Sequence, residues 1–322
     1  MLSSQQIDSL RDFIKERDGF TIIAHISPDG DAIGSSLALL WLLKKLGKLA
    51  EAVCNDPIPA IYAFLPMAEA MLLPENAAGY ENVITVDCAD KSRLGSASAI
   101  FDAAECTYNI DHHPTNDAYA QRNAIDSDAA ATGELIYRLT KSFGIEIDAD
   151  FASCLYTALM TDTGNFAYSN TTAETMRIAG DLLGAGADGY ELNLRIYRNT
   201  SLERLMLLRQ AIGNLKLYED GRVGITSLSR KEIEDSGARE DDTEGMVDCV
   251  RDIESVEIAV FIKQGSACGW KVSLRSKLCA DVGAVAAGMG GGGHERAAGY
   301  TADGQLDAVW ANALARAKEA LK

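Results

Sequence analysis

The sequence predicts a two-domain α/β protein, with a larger, mostly parallel sheet flanked by helices and then a smaller α/β domain. Short apolar segments rich in β-branched residues alternate with helical segments through the first half of the chain, which is typical of a parallel sheet. The length of 322 residues suggests two domains, and the apolar content of 47% is ordinary for globular proteins. Three apolar segments end in acidic or histidine residues. We therefore expect a polar edge on the larger sheet, where open α/β sheets bind ligands.

The first elements lead into a loop rich in acidic residues. Residues 1–19 form an amphipathic pattern of mixed charge, unlike a signal peptide. Residues 20–24 predict a buried strand, which ends at His25. After a turn, Asp31 opens a helix over residues 32–46, where an acid suits the amide-rich N-terminus. Residues 49–53 are a possible second strand.

Two further strands are predicted, and each ends in acidic residues. Asp87 follows a strand at residues 83–86, and Asp111, His112 and His113 follow a strand at residues 107–110. Prolines at positions 57, 59 and 66 favour short helices and loops. Helices are expected at residues 93–104, 130–143, 150–160, 172–184 and 191–218, and the third of these runs into Asp162.

The expected domains are residues 1–190, a helical linker over residues 191–220, and a second domain over residues 221–322. Strand character returns at residues 223–227, 256–263 and 270–275. Helices are predicted at residues 243–251, 281–289 and 305–321, and the second of these runs into Gly290–Gly293 and His294.

Composition restricts the compartment and the partners. Seven scattered cysteines without a CxxC pair favour a reducing cytoplasm over a disulfide framework or a zinc ribbon. No apolar run has membrane length. The formal net charge of −17 disfavours long nucleic acid, because that binding depends on many Lys and Arg contacts to phosphates. A short anionic ligand could still bind in a locally positive pocket.

Histidines and carboxylates gather at the predicted strand ends. The four histidines, all at predicted junctions, are His25, His112, His113 and His294. The carboxylates that converge if the strands are neighbours are Asp29, Asp31, Asp87, Asp111 and Asp162. Carboxylates this close need cations, because each raises the pKa of the next. Two divalent ions that share a carboxylate could bind a phosphate oxygen and activate a water. The alternative is a simple capped turn, in which Asp31 only caps its helix.

The ordered motifs of the chain resemble the DHH phosphoesterase superfamily. The matching segments are HISPDGDAIGSS from His25, VDCAD from Val86, DHHPTN from Asp111 and TDTGNF from Thr161. VSLRSK from Val272 and GGGGHERAAGY from Gly290 resemble the DHH-associated C-terminal domain. The resemblance covers essentially the whole chain. It is strongest to the short two-domain cytoplasmic members, the NrnA-like nanoRNase/pAp phosphatases.

The resemblance implies a role for each matching residue. One divalent ion would be held by His25, Asp29 and Asp87, and a second by Asp31, Asp87, His112 and Asp162. Asp87 would bridge the ions, Asp111 would orient the neighbouring histidines, and His113 would contact the scissile phosphate or help the leaving group. The mixture of imidazole and carboxylate ligands favours Mn²⁺.

The second domain is expected to bind the far end of the substrate, with the active site in the cleft between the domains. The implied residues are Arg275, Gly291, Gly292, Gly293 and His294. Glycines let a backbone approach a ligand closely, and Arg grips phosphate with paired hydrogen bonds. The alternative interpretation of the glycines is a flexible loop.

The resemblance implies a metal-dependent phosphoesterase. It would hydrolyse very short oligoribonucleotides to mononucleotides and dephosphorylate 3′-phosphoadenosine 5′-phosphate (pAp). A cyclic di-AMP or pApA phosphodiesterase remains open, and so does a nucleotide-binding protein without catalysis. The resemblance also suggests a homodimer, with no membrane partner.

Overall fold

The computed structural model describes residues 4–265 and 269–321 and divides the chain into two compact units. The first unit spans Met1–Asn199 and the second Thr200–Lys322. The division falls within the segment expected to be a linker. Of the seven cysteines, Cys268 lies outside the described residues, and the other six are free thiols. None of the described helices is long and apolar enough to cross a membrane.

The first unit is built on a six-stranded sheet in which every neighbouring pair is parallel. Its strands are β1 (Phe20–Ala24), β2 (Ala50–Val53), β3 (Met71–Leu72), β4 (Asn82–Val86), β5 (Cys106–Asp111) and β6 (Arg122–Ile125). The order across the sheet is β3-β2-β1-β4-β5-β6. The order reverses between β1 and β4, so the carboxyl ends of these two strands border the crevice where such sheets bind ligands.

Helices cover both faces of this sheet. The α-helices are α1 (Ser4–Glu16), α2 (Gly30–Lys45), α3 (Ser98–Ala103), α4 (Thr132–Ser142), α5 (Ala149–Asp162), α6 (Ala173–Gly184) and α7 (Gly189–Tyr197). Short 3₁₀ helices occupy Ala68–Ala70, Pro74–Asn76 and Lys91–Ala97. The main core joins one face of the sheet to α1, α2, α4 and α5, and a smaller core joins the other face to α3 and the 3₁₀ helix before it.

Helix α2 lies at the centre of the first unit. All of its residues from Gly30 to Leu43 are buried, so it has no solvent face. Two glycines allow α5 to approach closely. A Cβ at Gly34 would lie 2.4 Å from the Cys154 carbonyl oxygen, and one at Gly30 would lie 2.4 Å from the Thr161 side chain. The absence of side chains at these two glycines therefore allows the close spacing of α2 and α5.

The second unit has a mixed sheet in which β8 and β9 are parallel and the other pairs antiparallel. Its strands are β7 (Lys216–Tyr218), β8 (Val223–Leu228), β9 (Ile258–Gln264), β10 (Gly269–Ser276), β11 (Gly292–His294) and β12 (Ala297–Asp303). Its α-helices are α8 (Leu202–Gly213), α9 (Arg230–Ser236), α10 (Met246–Arg251), α11 (Val282–Ala287) and α12 (Leu306–Ala320), and Glu240–Thr243 is a 3₁₀ helix. The order across the sheet is β11-β12-β10-β9-β8-β7.

Different helices pack on the two faces of the second sheet. One face packs against α11 and α12. On the other face, α8, α9 and α10 pack over β8 and β9. The residues of β10 on that face are only partly buried or exposed, as Lys271, Ser273 and Arg275 show. This face of β10, β11 and β12, with those residues and Gly292, His294, Ala297 and Gly299, is called the open face below.

Several sequence predictions of secondary structure were wrong. The helix expected over residues 191–218 is two helices, α7 and α8, followed by strand β7. The helix expected over residues 93–104 is broken at Gly95, whose φ is +59°. Helix α2 begins at Gly30 with Asp29 as its N-cap, so Asp31 lies inside the first turn. Among the elements that the sequence did not predict are the short β3, β6 and β11.

Candidate active site

The carboxyl ends of three neighbouring strands of the first unit are aligned, and the residues at these ends line the site. Ala24 of β1 pairs with Val86 of β4, and Val86 pairs with Ile110 of β5. His25 and Asp87 follow β1 and β4, and Asp111 is the last residue of β5. Their proximity was predicted from the strand ends, and it places them beside the point where the strand order reverses.

Two site loops contain strained backbone. Asp87 has a φ of +57° and Ser27 a φ of +50°, a left-handed region that side chains other than glycine rarely adopt. The Asp87 amide donates to the Ile110 carbonyl at 2.9 Å, and the Ser27 amide donates to Asp56 at 2.7 Å. These contacts hold the chain where it leaves β4 and β1. Strain of this kind is concentrated at functional sites.

His112 faces three carboxylates. Its Nδ1 lies 3.2 Å from the Ala129 carbonyl, and a carbonyl can only accept, so the geometry assigns a proton to Nδ1. Its Nε2 lies 3.1 Å from Asp162, 3.6 Å from Asp87 and 3.8 Å from Asp31. In the neutral ring Nε2 carries a lone pair, which is the form that binds metals.

His25 faces two carboxylates from the other side. Its Nε2 lies 3.6 Å from Asp87 and 3.9 Å from Asp29, and the ring is buried. Its Nδ1 lies 2.7 Å from the Ile26 carbonyl and 3.0 Å from an Arg93 guanidinium nitrogen. The same Asp87 carboxylate therefore contacts both imidazoles, His25 through Oδ2 and His112 through Oδ1.

The predicted ligands form three groups, in each of which one ligand atom per residue lies within 4.8 Å of the others. The groups are His25 with Asp29 and Asp87, Asp31 with His112 and Asp162, and Asp87 with His112 and His113. Imidazole nitrogens and carboxylate oxygens that converge in this way fit a divalent ion of intermediate softness. The arrangement agrees with the expectation that divalent metal binds here.

Asp31 is held by the N-terminus of a helix far along the chain. The Thr132 amide donates to its Oδ2 at 2.6 Å, and the Gly133 amide donates to its Oδ1 at 3.0 Å. Ser35, one turn further along α2, adds a hydroxyl at 2.7 Å. Ala131, the N-cap of α4, makes no side-chain cap, so Asp31 provides the acceptor that this helix end lacks.

The charges in the site conflict unless cations are present. Burial, and then the charge of Asp162, raise the pKa of Asp31 to about 7. Burial, and then the charge of Asp31, raise the pKa of Asp87 well above its ordinary value. Burial alone would lower the pKa of His112, but its hydrogen bond to Asp162 and the nearby carboxylate charges raise that pKa well above the ordinary value. Bound divalent ions would stabilise the ionised carboxylates instead.

Asp111 contacts His113 and stands apart from the three groups. His113 Nδ1 lies 2.7 Å from one Asp111 oxygen, and Asn116 donates to the other at 2.5 Å. Burial would raise the pKa of Asp111, but the hydrogen bond and charge of His113 outweigh it and lower the pKa below its ordinary value. An ionised Asp111 keeps the proton of His113 on Nδ1 and fixes the orientation of the ring.

Two of the substrate residues predicted in the second unit, Arg275 and His294, share one face of its sheet. His294 of β11 pairs with Ala297 of β12, and Ala297 pairs with Arg275 of β10. Side chains of directly paired residues point to the same face, so His294 and Arg275 lie in one row on the open face, two strands apart. Arg275 Nε lies 3.4 Å from a carboxylate oxygen of Asp248.

The glycine run is partly a strand rather than only a loop. A Cβ at Gly291 would lie 2.2 Å from the Gly299 carbonyl oxygen, and one at Gly293 would lie 2.5 Å from the Ala297 carbonyl oxygen. These two glycines are required by the close approach of β12. Gly292 differs, because it is exposed and a Cβ there would have nothing within 4 Å. Packing therefore does not explain the missing side chain of Gly292.

Sequence reasoning missed the residues that hold the ligands. Thr132 and Ser35 contact the metal-group carboxylates, Asn116 contacts Asp111, and Arg93 contacts His25. Asn116 lies inside the quoted DHHPTN segment, which was the one available signal for it. Nothing in the spacing links Thr132 to Asp31, which lies 101 residues earlier.

Comparison with known proteins agrees with this geometry. The N-terminal domain of the DHH family matches residues 19–159, and the DHHA1 domain matches residues 221–322. A Thermus thermophilus protein named bifunctional oligoribonuclease and PAP phosphatase NrnA is 36% identical over 93% of this chain and 89% of its own. The Bacillus subtilis protein of the same name is 27% identical over 88% of each chain.

A solved structure supports the whole fold. The crystal structure of an exopolyphosphatase-related protein from Bacteroides fragilis has a TM-score of 0.94 with 27% identity, and the match covers 99% of this chain and 97% of that one. With both domains present in the family's order, and a relative more than one-third identical along nearly the full length, this chain belongs to the DHH family of phosphoesterases.

Proposed function

We propose that this protein is a divalent-metal-dependent phosphoesterase that hydrolyses short oligoribonucleotides to mononucleotides and dephosphorylates pAp. The observation that carries the proposal is the Asp87 carboxylate, whose two oxygens face His25 and His112. A carboxylate between two groups of ligands suits a pair of ions. The names of the Thermus and Bacillus relatives supply the substrates.

The proposed ligands follow the groups of converging side chains. The first ion would be held by His25, Asp29 and Asp87, and the second by Asp31, Asp87, His112 and Asp162. Mn²⁺ is the proposed ion, because imidazole and carboxylate ligands together suit it. When bound, such a pair polarises a phosphoryl oxygen and lowers the pKa of a bound water.

The protein side chains then have separate roles. Asp111 holds the His113 ring through Nδ1, and His113 would contact the scissile phosphate or the leaving oxygen. Helix α4 and Ser35 hold Asp31 in place, so that little reorganisation is needed during the reaction.

The open face of the second unit is the proposed site for the far end of the substrate. Arg275, which also contacts Asp248, contributes a guanidinium to it, His294 contributes an imidazole, and Gly292 leaves space beside them. Because β11 is at the edge of its sheet, one side of its backbone is not paired with a neighbouring strand. With a net charge of −17, the chain provides phosphate contacts at few places, which favours short substrates over long ones.

A side-by-side assay tests the proposal. The purified chain would be given pAp, the dinucleotide pApA, cyclic di-AMP and a long single-stranded RNA, with Mn²⁺ and separately with EDTA. We expect turnover of pAp and pApA only with Mn²⁺, and little cleavage of the long strand. An Asp87→Ala variant, checked for folding by circular dichroism, is the inactive control.

Other outcomes would replace the proposal. A strong preference for cyclic di-AMP would assign the protein to breakdown of a cyclic dinucleotide. Binding of nucleotides without turnover, in protein that takes up no Mn²⁺, would favour the non-catalytic alternative. Activity that EDTA does not affect would contradict the metal proposal itself.

A further inference from the structure

Thr132 contacts two acidic residues that belong to different groups of metal ligands. Its amide donates to Asp31 Oδ2 at 2.6 Å, and its hydroxyl donates to Asp87 Oδ1 at 3.0 Å. The residue is fully buried, at 0% exposure. One residue at the start of α4 therefore connects the acid in the first turn of α2, through its amide, with the acid after β4, through its hydroxyl.

The Asp87 backbone is held by the hydrogen bond of its amide to the Ile110 carbonyl, so the orientation of its carboxylate depends on other contacts. The residue directly follows β4 and has a left-handed backbone conformation. Its Oδ2 faces His25 at 3.6 Å, and its Oδ1 faces His112 at 3.6 Å. A rotation of the carboxylate would break both arrangements together. The Thr132 hydroxyl binds the oxygen that faces His112 and so opposes that rotation.

The chemistry of threonine suits this task. Its branched Cβ restricts χ1, which fixes the direction of the hydroxyl once the helix forms. A hydroxyl donor leaves the second lone pair of the carboxylate oxygen available for another partner. The side chain does not cap its own helix, since Ala131 is the N-cap and α4 has no side-chain cap there.

We infer that Thr132 is a positioning residue that orients the Asp87 carboxylate for both metal ions of the site. The inference rests on the proposed function for the existence of two ions. It adds that removal of the Thr132 hydroxyl weakens the binding of both ions. Removal of a contact to Asp31 alone weakens the binding of only one ion. Removal of a group that holds a metal ligand commonly reduces affinity by about 10-fold to 100-fold.

The effect of Thr132 on metal binding can be measured without substrate. The full chain is treated with EDTA, dialysed and titrated with MnCl₂ in a calorimeter. Thr132→Val keeps the shape and the amide but removes the hydroxyl, and Thr132→Ser keeps the hydroxyl. Ser35→Ala is the matched contrast, because Ser35 donates only to Asp31 among the ligands. Thermal unfolding of each metal-free variant shows that the fold is kept.

We expect Thr132→Val to weaken both Mn²⁺ binding events by about 10-fold or more, Thr132→Ser to restore them, and Ser35→Ala to weaken one. Three outcomes would each overturn the inference. Thr132→Val could bind Mn²⁺ with wild-type affinity, or it could weaken only the binding event that Ser35→Ala weakens. Thr132→Ser could also fail to restore binding. If the wild type binds two ions but does not cleave pAp, the proposed function fails while this test still gives its answer.

Discussion

The Nε2 atom of His112 lies 3.1 Å from Oδ2 of Asp162, which joins the end of β5 to the end of α5. The two residues come from motifs about fifty positions apart, and the pair closes the site on the side opposite His25. A quarter of the Asp162 side chain is exposed, whereas Asp31 is fully buried. Among the proposed ligands Asp31, His112 and Asp162, Asp162 is therefore the most accessible to solvent.

Asp162→Asn tests the charge of that ligand. The amide preserves size and an oxygen, but it removes the negative charge that faces His112. We expect activity on pAp with Mn²⁺ to fall by at least about 100-fold, beyond what loss of a supporting contact alone costs. Asp102→Asn, at an exposed ion pair with Lys91, is the control and should keep wild-type activity. Near-normal turnover in Asp162→Asn would contradict its role as a ligand.

Asp111→Asn distinguishes two possible roles of Asp111, which are the orientation of His113 and the binding of metal. Asp111 contacts His113 and Asn116 and belongs to none of the three groups of converging ligands. We expect kcat to fall by about 10-fold to 100-fold, while the Mn²⁺ affinity measured by calorimetry stays near that of the wild type. A loss of metal affinity as large as the loss of kcat would show that Asp111 itself serves the metal site.

Two neighbouring glycines should respond differently to substitution by alanine or valine. Gly291→Ala places a Cβ 2.2 Å from the Gly299 carbonyl oxygen, so the melting temperature should fall. Gly292→Val meets no atom within 4 Å, so folding should be kept and KM for pAp should rise because the side chain fills the open face. Differential scanning calorimetry and steady-state kinetics measure the two effects. An unchanged KM in Gly292→Val would remove this strand from the proposed substrate site.

The stability of the metal-free chain should fall as the pH rises. The pKa of Asp31 is raised from its ordinary 3.8 to about 7 in the fold, so the folded state binds more protons than the unfolded state in that interval. Stability therefore decreases between about pH 4 and pH 7. The raised pKa of Asp87 acts in the same direction, and the raised pKa of His112 adds a loss above its ordinary 6.5.

Melting curves in EDTA, recorded from pH 5 to pH 8, measure this dependence. We expect the melting temperature to fall across the series in EDTA, and Mn²⁺ to remove most of the fall because the ions stabilise the ionised carboxylates. Asp31→Asn in EDTA should flatten the curve. A metal-free melting temperature that rises from pH 5 to pH 8 would contradict the sign of these shifts.

Local patterns predicted much of the first unit. The strand at Phe20–Ala24 was predicted at its observed bounds, because β-branched and aromatic residues end abruptly at the polar loop. Asp87 and Asp111 were placed at strand ends for the same reason. Strands β3 and β6 were missed, since two and four residues at a sheet edge carry too little periodicity. Their pairing depends on neighbours already in the sheet.

The supporting contacts of the site could not be predicted in the same way. The Thr132 hydroxyl reaches Asp87 across 45 residues and its amide reaches Asp31 across 101, and no short pattern records such a separation. Strand β11 was not predicted, because glycine has a low strand propensity. It forms here because it pairs with β12, which lies close enough to exclude Cβ atoms at Gly291 and Gly293. In both cases tertiary packing determined the outcome.

The close contact of α2 with α5 has a consequence for ion selectivity. Gly34 lies against the Cys154 backbone and Gly30 against the Thr161 side chain, between two helices whose ends carry Asp31 and Asp162. The backbone contact at Gly34 limits how far the helices can move apart or together. Ca²⁺ needs more oxygen ligands at longer distances than a small ion does. Because the spacing is fixed at Gly34, the site should bind Ca²⁺ less tightly than the smaller Mn²⁺ ion proposed for it.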